Sequence, residues 1–365
     1  VKKHAAATIK GLLKYGIGFG LLAIVIARYW EDNAETGAPG LRTLLQGPID
    51  FGALAFAALL VATALSLQLF RWYILIRALD LPFSLRNTFR LGMVGVFYNT
   101  FLPGSVGGDL LKAYFIAKEH PERKARAIAT VIADRALGLF GLILFVAALG
   151  SLAWAGGDER IVATPGLQWL IKLMAGIAGG SILGFLALGY LPERRVERFA
   201  RRLRWFPKVG KSLAEFWYTL VTYRQRMRAV VLCVGLSALS HFALVFAFHS
   251  ASRVFPPANP GEQATLAEHM VVAPIGFIVQ ALPVSPGGVG VGEAAFAGLY
   301  KLSGRPQSRG VISRLSLRVV EWIIGLIGYL VYLRMKKELP VVDEENGETP
   351  PPEVEKAGEG AAISK

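Results

Sequence analysis

The chain has 365 residues, of which 53% are hydrophobic and 18% charged, with a formal net charge of +14. Its apolar runs reach the roughly 20 residues that a helix needs to cross a bilayer and lack the polar face of a soluble protein's surface helix, so an integral membrane protein is expected. The positive charge lies between the apolar runs, as in cytoplasmic loops, and no nucleic-acid reader motif accompanies it, so no nucleic-acid partner is expected.

Taken in chain order, the first full span is expected near residues 11–29. No small-residue cleavage site separates it from Glu31-Asp32, so it reads as retained. Further spans are expected near 52–76, 127–150, 167–191, 229–250 and 310–333, about six in all. Segments 88–117 and 268–300 differ, each holding an apolar arm, a Pro/Gly break and a second short apolar arm. The first break reads Leu102-Pro103-Gly104-Ser105-Val106-Gly107-Gly108-Asp109. The second reads Leu282-Pro283-Val284-Ser285-Pro286-Gly287-Gly288-Val289-Gly290-Val291-Gly292-Glu293. The arms of the first are too short to cross alone, whereas the second also admits one long span ending at Pro283. Residues 192–228 form a basic, aromatic connection, expected as an amphipathic helix on the anionic leaflet or as a topology anchor. The acidic tail 339–365 is expected to be disordered, leaving residues 1–338 as the membrane domain.

Loop charges give an orientation. Lys2, Lys3, Lys10 and Lys14 place the N-terminus in the cytoplasm, and Arg334, Lys336 and Lys337 place the C-terminal end there too. Segment 88–117 then enters from the cytoplasm and 268–300 from the opposite face. Unit 52–150 recurs upside down as 229–333, an inverted-topology repeat. Residues 301–309 carry three positive charges on the outer side and oppose the rule.

Broken backbone at membrane depth must be buried in protein or line a watered cavity. The expected site therefore gathers Asn99, Pro103, Gly104, Ser105, Gly107, Gly108, Asp109 and Lys112 from the first break with Ser285, Gly287, Gly288 and Glu293 from the second. Helices restarting at Asp109 and Glu293 aim free N–H groups at an anion, or those acids cap the same groups. Asn99 is expected to satisfy freed backbone groups. Asp134 and Arg135 lie within a span, project about 100° apart and each need a partner elsewhere. Arg314, Arg318 and Glu321 share one face of the last span. They form either a neutralised stripe in which Glu321 pairs with Arg318, or a cavity wall whose arginines grip a phosphate. His241 and His249 read as core or lipid-interface residues, with proton transfer as the alternative. Cys233 alone excludes an internal disulfide and a cysteine zinc site. Nucleotide-binding GxxxxGK[ST], HExxH and GxSxG patterns are absent from the sequence, so no cofactor, no catalytic metal and no ATP hydrolysis are expected.

Phe97-Tyr98-Asn99-Thr100-Phe101 leading into the first break, followed by Asp134-Arg135-Ala136-Leu137-Gly138, resembles one signature of a known family. The run from Pro283 to Glu293, continued by Ala294-Ala295-Phe296, resembles its other signature. The family is the lysylphosphatidylglycerol synthase transmembrane region, also described as flippase-like integral membrane proteins, and the resemblance covers roughly residues 10–335. It implies translocation of a lipid or lipid-linked sugar: an anionic phospholipid, a glycolipid or a polyprenyl-phosphate-linked sugar. In namesake members a soluble aminoacyl-transfer domain is joined to this region. Nothing folded is expected after residue 340 here, which leaves the translocase reading. The expectation is an all-α polytopic membrane protein of a bacterial inner membrane, with two re-entrant broken-helix hairpins in an inverted repeat and both termini cytoplasmic. A membrane-embedded lipid-phosphate transferase, or an accessory subunit of a lipid-modifying enzyme, is the alternative.

Overall fold

The computed structural model describes residues 2–101, 107–207, 210–257 and 259–335, with backbone only for 2–12, 211, 212 and 260. The described residues are helical, without strands. Helix α1 (Lys2–Arg28) and the short α2 (Leu41–Leu45) precede α3 (Phe51–Ala78). Asp50 starts α3 by accepting a hydrogen bond from the Ala53 N–H at 2.9 Å. Helices α4 (Leu85–Phe101) and α5 (Gly107–Glu119) follow. Next, α6 (Lys124–Phe145) passes through a π-helical turn at Val146–Gly150 into α7 (Ser151–Ala155). Helices α8 (Glu159–Ala163) and α9 (Pro165–Leu188) come next, then α10 (Glu193–Arg204) and α11 (Gly210–Gln225). The chain closes with α12 (Met227–Ala251), α13 (Leu266–Gln280), α14 (Val291–Leu302) and α15 (Gln307–Met335).

Five stretches are long and apolar enough to cross a membrane: Phe51–Ala78, Pro121–Ala155, Pro165–Leu188, Met227–Ala251 and Gln307–Met335. They match five of the six expected spans. The sixth falls in α1, which is 27 residues long, but is not among the five. Between these long helices lie two pairs too short to cross singly: α4 and α5, of 17 and 13 residues, and α13 and α14, of 15 and 12. The long span that 268–300 also admitted would end at Pro283; α13 ends close by at Gln280 but has only 15 residues. A long helix, a short pair and a long helix thus occur twice in order.

Close backbone contact holds the first short pair together. A Cβ on Gly108 would lie 1.9 Å from the Gly95 carbonyl oxygen, so α5 can lie this close to α4 only because Gly108 lacks a side chain. Helix α15 packs on α4 through Phe97 and Tyr329, with ring centroids 5.0 Å apart. Helix α12 packs along α3, where Ser250 donates to the Ala53 carbonyl at 2.8 Å and Gln68 donates to Ser240 at 3.3 Å. Phe248 stacks on Phe296 at 4.3 Å and ties α12 to α14.

The basic connection differs from the single amphipathic helix expected. It folds as two helices, α10 and α11, packed on each other. Phe199 packs on Trp217 at 4.6 Å, and the Trp217 indole donates to the Val196 carbonyl at 3.1 Å. The first helix ends at Arg204 with exposed Trp205 as its cap, two residues before Pro207, which disfavours helix in the residue ahead of it. The acidic tail lies outside the described residues.

Gly108→Ala is expected to cost about 1–3 kcal/mol through overpacking, read as a lower thermal midpoint of the detergent-solubilised protein. Gly235→Ala, which meets nothing within 4 Å, should leave the midpoint unchanged or slightly raised.

Candidate functional site

The second break is the better defined. After α13 the chain turns through Pro286–Gly288, where Gly287 and Gly288 hold φ of +54° and +66°. L side chains adopt such angles rarely, so glycine is required there. Helix α14 restarts with Glu293 in its first turn, which accepts from the Gly290 N–H at 2.8 Å. Glu293 is fully buried, and its other role is to bind Arg318, whose Nε donates at 2.5 Å and Nη2 at 3.1 Å. Arg318 also donates to the Gly287 and Gly288 carbonyls, each at 3.1 Å. One guanidinium therefore satisfies the carbonyls that the turn frees and the acid that caps the next helix.

Arg314 sits one turn away with its side chain at 0% exposure. Its Nε donates to Gln280 at 2.7 Å and its Nη2 to Glu321 at 2.6 Å. The third nitrogen, Nη1, is buried and has no hydrogen-bond partner among the described residues. Glu321 thus pairs with Arg314 and not with Arg318, correcting the pairing expected within the stripe. Glu293, nearer Arg318 in space though distant in sequence, takes that arginine first. Ser285 donates to the Val289 carbonyl at 2.7 Å and braces the turn.

At the first break, Pro103, Gly104 and Ser105 lie outside the described residues. The flanks are clear. Asn99 Oδ1 accepts from the Gly108 N–H at 2.8 Å, the backbone role expected for it. Tyr15 of α1 donates to the Phe101 carbonyl at 2.5 Å and closes the end of α4. Asp109, in the first turn of α5 after Gly107, binds Arg135 of α6 and lies 3.6 Å from Lys112 Nζ. Lys112 Nζ also lies 5.0 Å from the centroid of the Trp72 ring. The two breaks use the same parts: an acid in the first turn of the second arm binds an arginine on the following long helix, 26 residues on for Asp109 and 25 for Glu293. Their exposure differs, at 47% for the Arg135 side chain against 2% for Arg318.

Asp134 and Arg135 do find separate partners. Asp134 accepts from Arg71 Nε at 2.8 Å, and Arg71 Nη1 donates to Ser237 at 2.8 Å, so α3, α6 and α12 are bound at one point. Arg71 escaped the sequence reading, although a buried arginine inside an apolar helix is itself a signal. Two arginines of the anomalous 301–309 loop are neutralised: Arg305 grips Glu268 at 2.8 Å and Arg309 grips Glu262 at 2.6 Å. Among the described residues no cluster of three or more His, Cys, Asp or Glu side chains suits a metal.

The fold and these paired polar centres define an all-helical membrane protein. Residues 13–328 match the family described as the lysylphosphatidylglycerol synthase transmembrane region, and the chain belongs to that family. A UPF0104 membrane protein of Methanothermobacter thermautotrophicus is 24% identical over 306 residues, covering 76% of this chain and 83% of that one. UPF0104 membrane proteins of Pyrococcus horikoshii and Methanocaldococcus jannaschii are each 22% identical, covering 88% and 84% of this chain and 96% and 90% of theirs. No solved structure matches.

Removing Arg318 leaves Glu293 charged, buried and unpaired, so Arg318→Ala is expected to cost about 3–5 kcal/mol. Arg135→Ala removes a half-exposed side chain and leaves the buried Asp109 with Lys112 at 3.6 Å, so it should cost less, about 1 kcal/mol. Thermal and denaturant unfolding in detergent separate the two outcomes.

Proposed function

We propose that this protein moves an amphipathic lipid with an anionic headgroup between the leaflets of a plasma membrane. In this reading the two short helix pairs are re-entrant hairpins of an inverted repeat, entering from opposite faces, with both termini in the cytoplasm. The headgroup passes between the breaks while the acyl chains stay in the bilayer. The observation that carries the reading is Arg314 Nη1, a buried guanidinium N–H without a partner among the described residues, beside an interrupted helix. Buried donors of this kind are rare without an acceptor, and an anionic oxygen is the acceptor that a guanidinium suits best. Arg135 and Lys112 at the more exposed break offer the same chemistry where a headgroup would first arrive. Arg318, Glu293 and Asp134 then hold the helices in place. The polar side chains Asp109, Gln280 and Glu321 line the route.

Family membership supports a membrane-lipid role, and the resemblance noted in the sequence supports translocation. The test is reconstitution into liposomes with fluorescent anionic and zwitterionic lipids, following leaflet exchange by dithionite quenching beside mass spectrometry of the lipids. Exchange of an anionic class without a mass change is expected. Arg135→Ala should slow it at least about tenfold, the effect of losing one charge-assisted hydrogen bond, with only the small loss of stability expected of that variant. A covalent change in the lipid would replace this reading with the transferase one. No exchange of any anionic lipid would overturn it.

A further inference from the structure

His249, in the last turn of α12, and His269, in the first turns of α13, meet ring to ring inside the bundle. Their Nδ1 atoms lie 2.8 Å apart and their ring centroids 5.0 Å. At that distance the two nitrogens share one hydrogen, because two Nδ1–H groups would repel. His269 Nε2 lies 2.7 Å from the Tyr300 hydroxyl, which lies 3.5 Å from Ser313 Oγ. Ser313 in turn donates to the Arg309 carbonyl at 2.6 Å.

That last bond sets the direction of the whole chain. Ser313 has one hydrogen and gives it to Arg309, so it accepts from Tyr300. Tyr300 then accepts from His269 Nε2–H, which leaves His269 Nδ1 bare to accept from His249 Nδ1–H. The open lone pair of the chain is His249 Nε2. His269 and Tyr300 are 0% and 1% exposed, while His249 is only partly buried. The open end therefore belongs to the more accessible ring.

We propose that the His249–His269 pair is a proton-binding site. The proton adds to the His249 Nε2 lone pair, and no other bond breaks. His249 becomes an imidazolium whose Nδ1–H already points at an acceptor. A hydrogen bond made to the charged form favours that form, and His269 supplies it. The charged groups around the pair come from every neighbouring element. Arg253 follows the end of α12 and opposes the added charge. Glu268 of α13 is held by Arg305, and Arg309 of α15 by Glu262 of the Pro260–Glu262 turn. Helix α14 contributes the neutral Tyr300, and α3 begins at Asp50, whose N–H bonds the Val254 carbonyl. Burial of the rings opposes the added charge first, then Arg253 at both rings and Arg305 at His269. The site would supply the coupling ion for transport by a chain without a nucleotide motif, yet it is read without moving any lipid, so its failure and that of the translocase reading are distinguishable.

The chain has five histidines, few enough to assign by substitution in the 15N spectrum of histidine-labelled protein in nanodiscs. Between about pH 8 and about pH 4, the range in which histidine environments titrate, His249 and His269 are expected to respond with one shared midpoint. Arg253→Gln, at an exposed position, should raise that midpoint by about half a unit or more as a like charge is removed. His269→Gln should move the His249 midpoint and end the sharing. If that variant does not fold, Arg253→Gln decides by itself. Neutral nitrogen shifts at both rings throughout, with helicity retained by circular dichroism, would overturn the proposal. So would two unrelated midpoints that Arg253→Gln leaves in place.

Discussion

An interrupted helix in apolar surroundings must find partners for the backbone groups it frees, and the centre of this protein is organised by that need. At the second break one arginine meets most of it: Arg318 bonds the carbonyls of Gly287 and Gly288, and Glu293 bonds the N–H of Gly290. Their mutual ion pair then closes the circuit. At the first break the work is divided among Asn99, Tyr15 and the Asp109–Arg135 pair. Both solutions place an acid at the restart of a helix and an arginine on the next long one.

The same parts have different consequences in different surroundings. Glu293 and Arg318 are sealed from solvent, so the loss of either leaves the other's charge buried without its ion-pair partner. They are framework. Asp109 is buried as well, but Arg135 is half exposed and can exchange its partner at little cost. Arg314 is a third case: two of its nitrogens are bound within the framework and one is not. Exposure therefore separates these three arginines, which lie on two helices and bind in different surroundings.

Away from the breaks, ion pairs tie together segments that are remote in the chain. Arg71 binds α3 to α6 and α12, while Arg305 and Arg309 bind the ends of α14 and α15 to the residues before and within α13. The positive charge of the 301–309 loop, which opposed the orientation expected from loop charges, is partly neutralised by Glu262 and Glu268. Local charge counting misleads where a loop brings its counterions from another part of the sequence.

Membrane class, five of the long helices, the two short helix pairs and the need of Asp134 and Arg135 for partners elsewhere were legible in the amino-acid order. Each rests on a local property: length of an apolar run, a Pro/Gly interruption, or a charge where none is tolerated. Partnership was not legible. Sequence spacing placed Glu321 beside Arg318, but the helix surface offers a neighbour in every direction, and Glu293 arrives from another helix at shorter range. Arg71, Gln280, Tyr15 and the contact of His249 with His269 went unseen for the same reason. The composition of a helix fixes what it must bury, and only the packing of one helix on another decides which buried group answers which.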